Sequence, residues 1–561
     1  MKTKIFLGCL IATSLLTASC SDFLTEEPKG QLVPDNFFSS QTDLNGSVYA
    51  LYAKVNKTQI YTNMLYPQWQ GDDLTANPSS NKQAVAELDG FSANNNNKGV
   101  KEAWGMYYAV IKAANLIVNN AGNTPIEDKE EINVAIGQAR FWRAYSYYYM
   151  VRIFGPLPII TTVDIADRDA QLSSVENVYK FIVEDLTAAE SLLQNQTDYS
   201  AAGAPRHHDG IDAYVTRQAV QATLSAVYMS MAGYPLNKGA EYYGMAAAKA
   251  KEVIDKKGQY GFYLDDTWSH VYSIGHNYNK ETVLGIDYSP VVDWGTDSEF
   301  TSCNRFEGLG DGGWGDGWGE IKFWKNFPEG PRKNAVYAPK VTFQDGFTIT
   351  KTVDWWALDA DGKPVVAAYH PMFSVFTTNA DATGKELAQP YDYTQPNYAG
   401  MCNGHRHRVI RYSEVLLWYA ESVARSGGND LSGAKSCLKE VRRRAVANYE
   451  NVTLSDGTTV NIDAMTADQL AEACYMEHGW EVAGYWVAMV TRRSDELRMN
   501  ELKKNFDYRV ANPAIEVAPG ITAKESVSVA KATWAGDNSI YIPYPDTEVE
   551  KNPNLDRGLV K

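Results

Sequence analysis

INVAIGQARFWRAYSYYYMVRIFGPLP, residues 132–158, sets Ile136, Ala139, Trp142, Tyr145 and Tyr149 three to four positions apart and then meets Gly155 and Pro156. That spacing predicts a helix over 132–154 with an apolar face, stopped by a residue without a Cβ and one without an amide proton. Working outward, Tyr107, Tyr108, Ile111, Asn115 and Val118 repeat the period over 104–119, so the two segments read as a helical pair. A second pair opens on a capping box, Ser173 to Glu176, runs through Phe181, Ile182, Leu186, Ala189 and Leu193, and resumes over 213–231. An alanine-rich helix follows at 242–254.

Between 258 and 405 the period fades. Gly, Pro, Asp, Asn and Trp dominate there, with strand-like runs at 281–286 and 347–353. Helices return at 411–425, 431–446 and 467–490, and the tail over 539–561 is Pro-rich and irregular. Helix pairs of this length read as tetratricopeptide-like units, each packing an apolar face on its neighbour. The expected fold is mostly α: a helical scaffold over about 100–257 and 405–500, and a loop-rich part over about 40–99 and 258–404.

The 561 residues carry a net charge of -16 and no long Lys/Arg block, which argues against nucleic acid as a partner. Cys303, Cys402, Cys437 and Cys474 are far apart in sequence and form no CxxC pair, so neither a disulfide framework nor a zinc site is indicated. The 35 Tyr and 14 Trp exceed what a core of this size demands, and suit a wet binding surface, because each ring pairs an apolar face with a polar tip. At the start, Lys2 and Lys4, an apolar run from Ile5 to Leu16 and small residues before Cys20 make a signal peptide over 1–19, too short to span a bilayer. Leu16-Thr17-Ala18-Ser19-Cys20 resembles a lipobox, so Cys20 is the expected lipidation point and the lipid the only membrane contact.

The series of motifs resembles the SusD/RagB lipoproteins, nutrient-binding partners of outer-membrane SusC transporters. Cys20 to Leu24 with Glu27-Pro28 is similar to the family's start, and Asn36-Phe37-Phe38 with Leu44, Val48, Tyr49 and Tyr52 to its first helix region. Ala139 to Tyr145, ending in Val151 to Pro158, is the most specific match. Arg411 to Leu417 with Ala420-Glu421, then Tyr541-Ile542-Pro543-Tyr544-Pro545 with Asn552 to Leu555, complete it. In the late helix, where many relatives carry arginines after the glutamate, this chain has Glu477-His478-Gly479-Trp480, which leaves a local salt bridge without its expected cations. The resemblance implies a single unit over 20–561: a superhelix of four tetratricopeptide-like helix pairs supporting a loop-rich half that holds the ligand site. It also implies an outer-membrane, surface-exposed lipoprotein that captures oligosaccharide or polysaccharide and delivers it to a SusC-like TonB-dependent β-barrel, with no cofactor. A peptide-binding tetratricopeptide scaffold is the alternative, and a glycoside hydrolase stands behind both.

Sugar rings present C–H faces that pack on aromatic rings and hydroxyls that need polar partners, so a glycan site needs an aromatic platform with a polar rim. Two regions qualify. The first runs from Trp69 to Asn97 and offers Trp69, Asp72, Asp73 and Asn94, with Asp72 and Asp73 serving either as hydroxyl acceptors or as backbone caps. The second, 293–324, offers Cys303, Asn304, Arg305, Trp314, Trp318 and Trp324 around seven glycines between Gly308 and Gly319. Its tryptophans either pack under the loop or grip a ligand. Gly308, Gly310 and Gly313 have dinucleotide-fingerprint spacing, but no buried strand precedes them and no helix follows. With no HExxH, nucleophile elbow or P-loop, no catalytic residue is nominated and the chain reads as a binder. His405 and His407, interleaved with Arg406 and Arg408, are expected to be solvated or locally paired.

Overall fold

The computed structural model describes residues 38–59, 68–163, 169–195, 207–208, 211–212, 214–272, 274–288, 302–303, 315–337, 340–345, 348–375, 402–403, 406–525 and 540–560. Its long helices are α1 Gln41–Gln59, α2 Lys98–Asn120, α3 Lys129–Phe154, α4 Val175–Leu192, α5 Arg217–Ala232, α6 Ala240–Ile254, α7 Tyr412–Ser426, α8 Leu431–Ala445 and α9 Ala467–Glu481. Helices α2 to α9 form the expected four pairs, each packed on the next, with α8 and α9 both lying against α7. The third pair joins α6 to α7, so the larger part of the loop-rich half, between 254 and 412, is an insertion between two helices that touch.

The quoted stretch shows why the superhelix holds. Asp128 caps α3 by accepting from the amides of Glu130 and Glu131 at 2.9 and 3.4 Å, and Gly155 ends it at φ +76°. A Cβ at Gly155 would also stand 2.9 Å from the Tyr541 ring. Nearly every side chain from Phe141 to Phe154 is buried, because α3 has neighbours all round. Its arginines are spent on those neighbours. Arg143 donates twice to Asp185 of α4, at 2.7 and 2.8 Å, and once to Asn115 of α2 at 2.7 Å. Arg152 donates to the Met489 carbonyl and the Ser494 hydroxyl. The late motif docks on the end of the same helix: Ile542 N–H donates to the Ile153 carbonyl at 3.0 Å, and the Tyr544 hydroxyl to the Pro156 carbonyl.

Strands are short. β1 Leu74–Ala76, β2 Thr282–Ile286, β3 Gly317–Gly319 and β4 His407–Arg411 make two antiparallel pairs, β1 with β3 and β2 with β4. Several expectations are corrected. The loop-rich part does not begin at 40: α1 is a helix whose Leu44, Val48, Leu51 and Val55 pack in the main core. The cap of α4 is Ser174, which accepts from Asn177 N–H at 3.3 Å, rather than Ser173. The late helix ends at Glu481, not 490; the buried run 482–490 turns on Gly484 at φ +68°. His407 is 1% exposed on β4 with its ring 4.3 Å from that of Tyr288, because the strand is covered on both faces.

A buried ionic cluster replaces the local salt bridge that His478-Gly479-Trp480 cannot make. Glu481 meets Arg332 at 2.8 Å, Arg411 at 2.8 Å and Arg444 at 3.1 Å, while Glu281 meets Arg411 and Arg444, and Glu477 meets Arg332 and Arg442. The cations come from α8, from β4 and from the short helix Pro331–Val336 rather than from α9, which carries Glu477 and Glu481. Burial opposes ionisation of Glu481, but Arg411, Arg444 and Arg332 outweigh it and hold its carboxyl far below the usual range.

His478 is fully buried between two carboxylates. Burial opposes its charge, yet Asp495, 2.5 Å from Nδ1, and Glu414, 3.5 Å from Nε2, push it up to about 9. The unfolded chain releases that proton near the ordinary value of about 6.5. The stabilisation is therefore complete below about pH 6.5 and is lost as pH rises through about 9. Chemical denaturation of wild type should show a steeper fall in stability between pH 7 and 10 than His478→Gln; parallel curves would refute the charged imidazole.

Candidate functional site

Pairing of β1 with β3 brings the two candidate regions together. Thr75 faces Trp318 in register, flanked by Leu74 with Gly319 and Ala76 with Gly317. Trp69 lies directly beneath: a Cβ at Gly317 would come within 2.4 Å of its ring, so only glycine lets the strand sit that close. The Glu320 amide donates to the Asp73 carbonyl at 3.1 Å, and the Glu320 carboxylate caps the helix Ile321–Asn326 by accepting from Phe323 N–H. That helix carries Trp324.

Around this ladder the loop-rich half has a small core of its own, made of Trp318, Ile321, Trp355, Val366, Met372 and Ala523. Trp318 stacks on His370, ring centroids 5.1 Å apart and 25° from parallel. Trp324 meets Trp355 edge-on at 5.2 Å and Trp356 at 5.3 Å, and Lys333 Nζ lies 4.4 Å over its ring. Trp355 is buried, whereas Trp324, Trp356 and Tyr369 are half-buried, each keeping part of its surface open to solvent. The result is a mounted aromatic surface: half-buried rings resting on the buried Trp355, each held by an edge contact with it.

The structure places the expected residues unevenly. Trp318 and Trp324 join this cluster. Trp69, at 0% exposure, and Asp73, at 4%, lie under it and cannot face a ligand from there, because the protein already covers them. Asp73 accepts from Gly484 N–H at 3.0 Å, and burial pushes its carboxyl up to about 7. It is a backbone acceptor, the second of the two roles its sequence left open. Asp72 stays partly exposed and pairs with Arg492 at 2.7 Å. Asn94 is exposed elsewhere, on a cavity of about 1070 Å³ that it lines with Phe91, Tyr541, Tyr544 and Arg557. The backbone of Cys303 pairs with that of Cys402, bringing together two cysteines that are distant in sequence. Asn304, Arg305, Trp314 and Cys20 lie outside the described residues. Trp355, Trp356, Tyr369 and His370 were not among the expected contacts. The adjacent Trp355-Trp356 pair was their one visible signal, and Tyr369 adds a backbone one at φ +50°.

Buried carboxylates support the site rather than line it. Burial raises Glu320 well above the usual range, with Glu525 reinforcing it. Glu525 in turn accepts from Ile321 N–H at 2.7 Å.

Residues 22–229 match a family of SusD-like proteins described as starch-binding and associating with the outer membrane, and residues 376–558 match the SusD family. A SusD-like protein of Bacteroides ovatus is 23% identical over 614 aligned positions, covering 100% of this chain and 98% of that one. A SusD homolog from Bacteroides thetaiotaomicron superposes with a TM-score of 0.72 at 19% identity, covering 93% of this chain and 97% of that one. Surface glycan-binding protein A from Bacteroides uniformis does so with a TM-score of 0.65 at 17% identity, covering 92% and 99%. At these identities the superpositions speak for the fold.

Proposed function

Because the chain belongs to the SusD/RagB family, we propose that it is an outer-membrane lipoprotein, anchored at Cys20 and exposed at the cell surface, which captures oligosaccharide or polysaccharide without cleaving it and delivers it to a SusC-like TonB-dependent transporter. The observation that carries this reading is the mounted aromatic surface of Trp324, Trp356 and Tyr369. Partly exposed rings held by a packed core suit the C–H faces of sugars, and the fixed mounting spares the entropy of ordering them on binding. Asp72 supplies a polar rim beside Arg492, whose guanidinium lies 5.7 Å over the Phe323 ring on the helix that carries Trp324. Trp318 supports the surface from within. Cys303, Asn304, Arg305, Trp314 and Asn94 complete the proposed set on the strength of their sequence.

Calorimetry and affinity electrophoresis against plant, fungal and host polysaccharides test this, with analysis of the sugars released. At least one glycan should bind, and the Trp324→Ala/Trp356→Ala double variant should lose about 2 kcal/mol or more, roughly thirtyfold in affinity, as expected for an aromatic anchor. Undiminished binding would remove the site. Release of small sugars by the wild-type protein would remove the binder reading. Co-purification of a β-barrel transporter with the lipoprotein from native outer membranes tests the delivery step.

A further inference from the structure

Where the chain leaves the scaffold after α6 and heads for β2, Asp265, His270 and His276 converge. One potential ligand atom from each lies within 4.8 Å of the other two, and all three side chains are half-buried, open to solvent on one side. Among the described residues no other group of three His, Cys, Asp or Glu side chains meets this condition. Asp265 Oδ1 lies 3.1 Å from His270 Nδ1, and the rings of His270 and His276 stack 3.8 Å apart, 11° from parallel.

The frame that holds them is tied to buried groups. The Asp265 carbonyl accepts from Arg444 at 2.8 Å and its amide donates to Glu281 at 3.1 Å, tying it to the buried ionic cluster. The His276 carbonyl accepts from Arg408 at 2.9 Å. Trp268, 1% exposed, sits under the guanidinium groups of Arg411 and Arg444 and pins the short helix Trp268–Tyr272 that presents His270. The backbone of the triad is therefore fixed from inside, while its side chains remain reachable from outside.

We propose that Asp265, His270 and His276 bind a late first-row divalent cation, with Zn²⁺ as the reference ion. Two imidazole nitrogens and one carboxylate oxygen suit such ions rather than Mg²⁺ or Ca²⁺, which favour all-oxygen shells. Bonds of about 2.0–2.1 Å put tetrahedral ligand atoms about 3.4 Å apart. Binding requires the stacked rings to turn apart so that one in-plane nitrogen lone pair of each meets the ion, and the Asp265 carboxylate to swing in beside them, leaving a fourth position for water. The bound ion clips the segment 265–276 at the joint between helical scaffold and loop-rich half. This site shares no residue with the proposed glycan surface and does not depend on it.

The test uses the full-length mature chain without a polyhistidine tag, stripped with a chelator and titrated with Zn²⁺ by calorimetry. One equivalent should bind saturably, and His270→Ala/His276→Ala should weaken it by about a hundredfold or more, the upper end of what even second-shell losses cost. Co²⁺ should give the intense visible absorption of a four-coordinate site in wild type and not in the variant. Circular dichroism in chelator confirms that the variant is folded; if it is not, Asp265→Asn, which keeps the cap on Thr267 N–H, takes its place. Absence of saturable Zn²⁺ binding by wild type, or binding unchanged in the variant, would overturn the proposal.

Discussion

Replacing Glu481 by Gln should destabilise the protein by about 3–5 kcal/mol, the usual cost of removing one partner from a buried ion pair. Three guanidinium groups, those of Arg332, Arg411 and Arg444, converge on this one carboxylate, and all four side chains are at most 4% exposed. The substitution keeps the volume and one acceptor oxygen but removes the charge, so Glu281 and Glu477 are left to balance four arginines. The pH signature follows from the depressed carboxyl: its contribution is present above the ordinary value near 4.5 and drains away as pH falls below it. Urea denaturation of wild type and variant at pH 7 and at pH 4 measures both effects. A loss under about 1 kcal/mol would mean that the cluster is no stronger than surface pairs.

Trp69→Ala should cost a similar amount, about 3–5 kcal/mol, through lost burial and the cavity left behind. The ring fills the space under Gly317, so its removal takes away the floor of the β1–β3 ladder. Glycan affinity should fall with it, although Trp69 lies too deep to touch a sugar. The comparison with Trp324→Ala is informative: the surface substitution should cost binding with little stability, the buried one both. Unchanged stability in Trp69→Ala would show that the ladder does not rest on it.

The helical half was legible because its signals are local. Spacing of Ile136, Ala139, Trp142 and Tyr145 identifies α3 without reference to any other segment, and Gly155-Pro156 ends it in sequence as in space. Where neighbours decide, the reading failed. The apolar residues of 482–490 look like more helix, yet Gly484 turns the chain there and a Cβ on it would meet Phe373 at 2.3 Å. His407 was expected to be solvated or locally paired; it is buried beside Tyr288, and Arg406 and Arg408 are themselves buried with partners in Asp287 and the His276 carbonyl. In the site, aromatic content and the two regions could be read, while depth could not. Trp69 and Trp324 are the same residue type in segments without clear periodicity, and the register of Thr75 with Trp318, set by chain distant in sequence, helps put one below the surface and one upon it.

That register has a consequence for the order of folding. Pairs such as α2 with α3 are joined by short turns and need little chain closure, whereas the ladder under the aromatic surface must close a loop of more than two hundred residues before its first contact forms. Closure entropy grows only slowly with length, by about 0.6 kcal/mol per doubling, but local contacts still form sooner. Local pairs such as α2 with α3 should therefore form before the recognition surface, and the ladder is expected to be absent from the rate-limiting barrier, whereas α6 with α7 must itself close across the insertion. Damage at Trp69 or Gly317 should then appear as faster unfolding with an unchanged folding rate, so the surface can vary its aromatic pattern without slowing the assembly of the body that carries it.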